Sequence, residues 1–408
     1  MNAKSKKVEV IGAGFSGLTC AYYLVKAGFE VEIFEKSNRS GGLIGTLQTP
    51  FGLVETAANG LLNSELLEIL AKDIGLKLLA PLKSSKARYI FRGKPSRFPL
   101  KVSEIPGLLK FIFKMFFAKS SILPKPNESL RAWGIRNLGY EASHYTIESA
   151  LQGVYAGDPQ KLSARLVLSM LTQKRNKSIA RGSRAPLAGM IELTQKLQDY
   201  LTSHGVKFNF GQSQLSLAAE TPVVIATPAY EASLLLQSLE PELSVLLCQI
   251  DYLPVVTANL FFAENSLRGF GCLFPPEESN IVLGVLMNDC IFEGRAQKAA
   301  SENWILGGAF VKESAKFISQ SDEQILELVL ARRNLFKKTF AGDILGAQIT
   351  RWPKAFPSYS LELEKLLPKL EPKNQNVFLH GNYLGDLGLT KIIERSQKLA
   401  QKIEALHG

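Results

Sequence analysis

Val8-Glu9-Val10-Ile11-Gly12-Ala13-Gly14-Phe15-Ser16-Gly17 reads as a short apolar strand that runs straight into three glycines at the spacing GxGxxG. Leu18, Ala21, Tyr22 and Val25 then recur at i, i+3, i+4 and i+7, the period of one helix face. Gly28 ends that helix, and Phe29 to Phe34 alternates through Val31 and Ile33 as a second strand that stops at Glu35. Each part has a task in holding a dinucleotide. Gly12 permits the sharp turn, Gly14 lets backbone approach a pyrophosphate, and Gly17 lets helix and strand pack closely. The helix N-terminus faces the phosphate charge. Glu35 stands where a carboxylate accepts hydrogen bonds from a ribose. A lone GxGxxG is weak; strand, helix and acid in the right order make it strong.

Just beyond, Arg39, Ser40, Gly41, Gly42 and Thr46 resemble the RxGGxxxT signature of FAD enzymes in the amine oxidase and glutathione reductase-like superfamily. Further segments resemble the protoporphyrinogen and coproporphyrinogen oxidases of that superfamily. Gly153-Val154-Tyr155-Ala156-Gly157-Asp158-Pro159, followed by Leu162-Ser163, is the most specific of them. Gly52 to Glu55, Ala87 to Ile90, Gly189-Met190, Ala226 to Ala229, Gly269 to Gly271, Phe292 to Arg295 and Arg351 to Pro353 follow the family's order along the chain. Near the C-terminus, His380-Gly381-Asn382 and Gly385 to Leu389 lead into a helix with Ile392, Ile393, Leu399 and Ile403 on one face, similar to the superfamily's closing flavin motif.

The resemblance implies FAD as cofactor, held by Gly12, Gly14, Ser16, Gly17, Glu35, Lys36, Gly41, Gly42, Gly381, Gly388 and Leu389. It implies a porphyrinogen substrate, with Arg88 on the propionates, the backbone of Gly153 and Gly157 against a pyrrole ring, and Leu273 and Phe292 against the rings. Read without the family, Gly153 to Pro159 is a helix-to-helix turn with Asp158 as N-cap, Arg88 a solvated surface arginine, and Leu273 and Phe292 plain core. An Arg guanidinium does suit a carboxylate, through two parallel hydrogen bonds.

The fold class expected is α/β. A Rossmann-like FAD-binding domain takes residues 1–84, 185–235 and 350–408. An antiparallel-sheet substrate domain takes 85–100 and 236–349. Residues 101–184 form a helical subdomain that associates with a membrane. Short apolar runs, Val255 to Phe262, Gly271 to Phe274, Ile281 to Met287 and Trp304 to Val311, divided by turn residues, give the second sheet.

With 408 residues, 46% of them hydrophobic, the chain builds a large core, and disorder is excluded. The net charge of +11 points to an anionic partner. Ten basic residues and one acid, Glu104, lie from Lys86 to Lys125, and five basic residues without an acid from Lys174 to Arg184. Inside the first patch, residues 105–118 read IPGLLKFIFKMFFA, a greasy helix too short to span a bilayer, with Lys110 and Lys114 as a basic stripe. Such a helix lies in a membrane interface with its lysine stems snorkelling to phosphates; a buried core helix is the alternative. Cys20, Cys248, Cys272 and Cys290 lie far apart with no CxxC pair, which signals neither a zinc site nor a redox dithiol. No apolar leader precedes the first strand, so the expected place is the cytoplasm, peripheral on the inner face of the cell membrane.

Two departures from the family pattern stand out. Thr56 replaces a glycine after Glu55, and Asp386 puts an acid beside the expected flavin edge. The expected reaction is oxidation of protoporphyrinogen IX by hydride transfer to FAD, with molecular oxygen reduced to hydrogen peroxide. No histidine, cysteine or carboxylate is marked as a general base. Coproporphyrinogen III is the alternative substrate. Another amine oxidase or desaturase leaves the Gly153 to Pro159 segment unexplained. A nucleic-acid binder lacks any recognisable RNA-binding or zinc-finger pattern, and an inactive flavin-binding paralogue is the remaining reading. The oligomeric state, a homodimer included, stays open.

Overall fold

The computed structural model describes residues 6–97, 101–169, 182–212, 221–264, 267–279, 281–311, 313–336 and 344–408. Of the second basic patch, Lys174, Arg175, Lys177 and Arg181 lie outside these residues.

The opening motif forms as its residues dictate. A strand at Lys7–Ile11 turns into a helix at Phe15–Lys26, and the chain returns as a strand at Glu30–Glu35. Val8, Val10 and Ile33 are fully buried, as are Leu18, Ala21 and Tyr22 on the inner face of the helix. Five parallel strands form one sheet in the order Lys207–Phe210, Glu30–Glu35, Lys7–Ile11, Val223–Ile225, Val377–Leu379. The long C-terminal helix, Leu389–His407, packs on the first helix and buries Ile392, Ile393 and Ile403. The strand Val377–Leu379 thus forms the edge of the parallel sheet beside Val223–Ile225, and the helix that follows it covers the first helix.

The second sheet has seven strands, in the order Ile344–Pro357, Tyr252–Phe262, Ala300–Gly307, Val282–Met287, Gly271–Leu273, Arg88–Phe91, Pro95–Arg97. It is antiparallel except for one pair, Gly271–Leu273 with Arg88–Phe91. The run expected to continue to Val311 stops at Gly307, because Gly307 and Gly308 take φ of +113° and +72° and turn the chain. The strand Ile344–Pro357 pairs with Tyr252–Phe262 over nearly its whole length, so residues 350–357 sit in this sheet and not in the dinucleotide half where the boundary at 350 placed them. Its backbone ladder runs through that boundary without a break in hydrogen bonding.

Side chains alternate across the second sheet. Val256, Ala258, Leu260, Phe262, Trp304 and Leu306 share one core with Ile325 and Val329 of the covering helix Asp322–Arg333. Thr257, Asn259, Ser301 and Asn303 point to the opposite, inner face. That face looks toward residues 56–60: Asn303 Nδ2 donates to Asn59 Oδ1 at 3.2 Å, and Trp352 Nε1 donates to the Thr56 carbonyl at 2.7 Å.

The helix Ile105–Phe117 has no buried residue. Leu108 and Phe111 lean on the core beneath, and Gly107 sits so close to the Leu138 carbonyl that any side chain there would collide with it. Phe113, Phe116 and Phe117 remain 62%, 76% and 76% exposed. The expected lysine stripe is halved. Lys110 is exposed, but Lys114 turns inward to donate to Arg136 O and Asn137 Oδ1 at 3.2 and 3.1 Å. Desolvation lowers the Lys114 pKa from its ordinary value.

Candidate active site

Two glycine turns meet at the mouth of the parallel sheet. Gly12 adopts φ +103°, and a Cβ there would come within 2.9 Å of the Ala226 carbonyl oxygen. A Cβ at Gly17 would collide with the carbonyl oxygen of Gly12, so this glycine is required by close packing of helix on turn. Gly14 differs, because its φ is −69° and its surroundings hold nothing nearer than Gly42 Cα at 3.9 Å. Protein packing leaves room for a side chain at Gly14. Gly41 N donates to Ala13 O at 2.8 Å, which joins the second turn to the first.

Arg39 braces this second turn from outside: Nη1 donates to Ser40 O and Ile44 O at 3.0 Å each, and Nη2 to Gly42 O at 2.8 Å. Glu35 accepts from Ala13 N at 2.8 Å and from Ser37 N at 2.9 Å, so its carboxylate is aimed across the first turn by backbone donors. Lys36 is not turned toward the glycines. It pairs with Glu231 at 2.7 Å on the surface, and that hydrogen bond raises its pKa.

Gly14, Phe15, Ser16, Gly41 and Gly42 line one side of a cavity of about 200 Å³, with Thr227, Gly381 and Leu389 among the residues opposite. The hydroxyl of Thr227 is buried without a partner. Gly14 and Gly388 are the N-caps of the first and last helices, and neither helix is capped by a side chain. Two uncapped helix ends, two glycine turns and an orphaned hydroxyl around one cavity fit a dinucleotide with a pyrophosphate and a polar ring edge. The residues present therefore fit FAD. Gly381 is extended at φ 163°, and a Cβ there would stand 2.8 Å from the Tyr383 ring.

The two departures have local explanations. The Thr56 hydroxyl donates to Leu43 O and Gly45 O at 2.9 and 3.1 Å, satisfying carbonyls of the loop that follows the paired glycines. Asp386 accepts from Arg395 Nε at 2.9 Å and lines a separate groove behind the C-terminal helix. Its charge is paired, and Asp386 is not among the residues lining the cavity between the glycine turns.

Glu55, Thr46, Gly189-Met190 and Arg295 stand in separate stretches of the sequence; the structure joins them. Buried Glu55 accepts from Thr46 Oγ1 at 2.7 Å, from Met190 N at 3.0 Å and from Arg295 Nη1 at 3.1 Å. Arg295 also donates to Pro186 O at 3.0 Å. Burial pushes the Glu55 carboxyl up and the Arg295 guanidinium down, against the pull of each on the other. This pair pins the strand at Gly52–Glu55 to the helix Met190–Ser203 and to the turn after Phe292. His380, fully buried, shares Ser396 Oγ with Thr19, and burial drives its pKa down to about 3.

Of the substrate residues, three come together. Gly153 lies in the helix Ser149–Tyr155 directly over Leu273, where a Cβ would meet Leu273 Cδ2 at 2.7 Å. Leu273 and Arg88 share a sheet face, because Gly271 pairs with Arg88 and Leu273 with Ile90. Arg88 is exposed and lies 4.6 Å over the Phe270 ring, with no acidic partner among the described residues. Two others are placed by packing. A side chain at Gly157 would collide with Leu162, so this glycine accommodates its own turn. Phe292 is buried against Gly60 in the core of the dinucleotide half, with Arg295 5.6 Å over its ring. Asp158 is no helix cap: its Oδ1 accepts from Gln160 N within the turn, and Ser163 caps the following helix.

The inner face of the second sheet was not singled out from the sequence. Thr257 Oγ1, both amide ends of Asn259, Ser301 Oγ and Asn303 Oδ1 are buried with no hydrogen-bond partner. The only signal was a polar residue at alternate positions of Val255-Val256-Thr257-Ala258-Asn259-Leu260.

A family model described as flavin containing amine oxidoreductase matches residues 15–388. The chloroplastic protoporphyrinogen oxidase of Nicotiana tabacum is 25% identical over 97% of this chain and 84% of its own length. The protoporphyrinogen oxidase of Homo sapiens is 28% identical over 70% of this chain and 74% of its own. Among solved structures, a protein of Exiguobacterium sp. 255-15 provisionally named as a protoporphyrinogen oxidase superposes with a TM-score of 0.79 at 17% identity, covering 99% of this chain and all of its own. A reduced UDP-galactopyranose mutase reaches a TM-score of 0.73 at 14% identity over 99% of this chain and 95% of its own. At such identities, superposition establishes the fold alone.

Proposed function

Because the chain belongs to the family of flavin-containing amine oxidoreductases and its cofactor is FAD, we propose that it oxidises a porphyrinogen, protoporphyrinogen IX in preference to coproporphyrinogen III. Bound FAD supplies the hydride acceptor for a methylene bridge of the substrate, with molecular oxygen taking the electrons on to hydrogen peroxide. The protein's share is binding and orientation. The observation that carries the reading is the contact of Gly153 with Leu273 on a sheet face that also holds Arg88. Gly153 lets the helix backbone close on Leu273, which then offers an apolar surface to a ring on the face where the Arg88 guanidinium, without an acidic partner, is available for a propionate. Protoporphyrinogen has two propionates and coproporphyrinogen four, and one arginine without an acidic partner on this face among the described residues favours the substrate with fewer.

The same reading seats the protein peripherally on the inner face of a membrane, through the exposed phenylalanines of Ile105–Phe117 and the exposed Lys101, Lys110 and Lys119 around them. No helix among the described residues is long and apolar enough to cross a bilayer. Replacing Phe116 and Phe117 together by Glu should abolish sedimentation with anionic vesicles and leave turnover in detergent unchanged; sedimentation at the wild-type level removes the helix from the surface.

Anaerobic mixing of the flavin-loaded protein with each porphyrinogen tests the reaction, read as loss of flavin absorbance. Protoporphyrinogen should bleach the flavin faster than coproporphyrinogen, and bleaching by neither ends the proposal. Arg88→Ala should raise KM for protoporphyrinogen on the order of tenfold, the worth of about one charge-assisted hydrogen bond.

A further inference from the structure

The inner face of the seven-stranded sheet carries a row of polar side chains that the fold does not use. Asn259 and Asn303 are directly opposite in register on paired strands, with Thr257 and Ser301 on the flanking inner positions. Asn259, Ser301 and Asn303 are 0% exposed and Thr257 5%. Burying amide and hydroxyl groups without partners is costly, and interiors that keep such groups do so for a ligand, a water or a mechanism. Other inner-face positions on the same two strands are apolar: Val255, Phe261 and Ile305. The row is therefore neutral and cannot be a seat for a carboxylate, which needs a cation when desolvated.

Its position is equally specific. Asn303 reaches Asn59 in the segment 56–60, and that segment leads out of the strand whose Glu55 is locked to Arg295. The row thus lies where the two halves of the molecule face each other, on the sheet that also presents Leu273 and Arg88. Asn59 takes the amide N–H of Asn303 and so leaves the Asn303 oxygen as the free end.

We infer that the side-chain oxygens of Thr257, Asn259, Ser301 and Asn303 form a wall that accepts hydrogen bonds from the pyrrole N–H groups of the substrate, an inference that rests on the porphyrinogen reading. A porphyrinogen carries four pyrrole N–H groups and no imine nitrogen. Its fully oxidised product keeps two N–H groups and gains two imine lone pairs, which an oxygen acceptor repels. The amide oxygens of Asn259 and Asn303, which only accept, therefore favour the reduced macrocycle over the oxidised one, whereas the Thr257 and Ser301 hydroxyls can serve either. Segment 56–60, which meets the row through Asn59, is itself only half-buried.

The test uses flavin-loaded enzyme and protoporphyrinogen. Asn259→Leu should raise KM roughly tenfold with kcat within about twofold, the loss of one or two hydrogen bonds to bound substrate. Inhibition by protoporphyrin should stay at the wild-type level, and the melting temperature should hold or rise, since an unpartnered amide is removed. Ser301→Ala and Thr257→Val, smaller changes that keep the core filled, should each raise KM by roughly threefold, and they carry the test if Asn259→Leu does not accumulate. A KM unchanged in all three, or an equal loss of affinity for substrate and product in Asn259→Leu, overturns the wall. Flavin that no porphyrinogen bleaches in the wild type brings down the porphyrinogen reading, and the wall with it; a bleached wild type beside variants of unchanged KM brings down the wall alone.

Discussion

Glu55 and Asn259 are both buried, and the contrast between them separates the two halves of the molecule. Glu55, in the dinucleotide half, is held by a threonine hydroxyl, a backbone N–H and an arginine. Asn259, on the seven-stranded sheet, has nothing at either end of its amide. The paired group holds strand, helix and turn in one arrangement, as befits a scaffold for a resident cofactor. The unpaired group contributes nothing to holding its sheet together, which leaves its hydrogen bonds for a visitor. Around the glycine turns the same contrast recurs within a few residues: Gly17 is demanded by the protein's own packing, whereas Gly14 is not.

The largest effect belongs to Gly17→Ala. A methyl group colliding with the Gly12 carbonyl should leave no soluble flavoprotein, measured as yield and as flavin absorbance per chain. A normal yield would show that the turn tolerates what its geometry excludes. Next comes Arg295→Ala, which strips the cation from buried Glu55 and should cost about 3–5 kcal/mol in chemical denaturation; replacing both partners by apolar residues should recover most of it. A loss no greater in the single variant than in the double would mean that the two charges are not coupled.

His380 gives a smaller, pH-dependent effect. In the unfolded chain it takes a proton near its ordinary value of 6.5, whereas in the folded protein burial delays this to about 3. Protons therefore favour unfolding between those limits, and stability falls as pH drops through them, by up to about 1.4 kcal/mol per pH unit. His380→Asn should flatten that slope by one proton, read from denaturation midpoints at several pH values. The smallest effect on stability is that of Gly14→Ala, within about 0.5 kcal/mol for the apoprotein. Its flavin affinity should nonetheless fall roughly tenfold or more, the cost of crowding a methyl group into a filled contact. Equal losses in the apo and loaded forms would make Gly14 a packing glycine like Gly17.

The cofactor half was legible in the sequence because its logic is local. Gly12, Gly14, Gly17 and Glu35 act within one strand-turn-helix-strand unit, and spacing alone conveys their relation. Lys36 meets a partner distant in sequence, Glu231, which spacing does not reveal. Gly157 and Phe292 have nearby structural employment that a resemblance does not reveal. The joining of Thr46, Glu55, Met190 and Arg295 and the row from Thr257 to Asn303 depend on which segments meet and in what register, and pairing between distant strands leaves no periodic trace. One sign was present all the same: Thr257 and Asn259, two positions apart in an otherwise apolar run, mark a face that the core does not own.

The strand Val377–Leu379 completes the parallel sheet beside Val223–Ile225, and Gly381 and Leu389 follow it at the cavity. On a ribosome these residues emerge long after the first glycine turn. Until then the nascent chain has an uncovered sheet edge at Val223–Ile225, the kind of edge that invites wrong pairing. Flavin loading therefore waits on residues far along the sequence: the first glycine turn can fold early, but Gly381 and Leu389 of the second wall follow much later. A proteolytic cut between the two sheets' last strands, after residue 357, would release the piece that closes the site while leaving the opening motif intact.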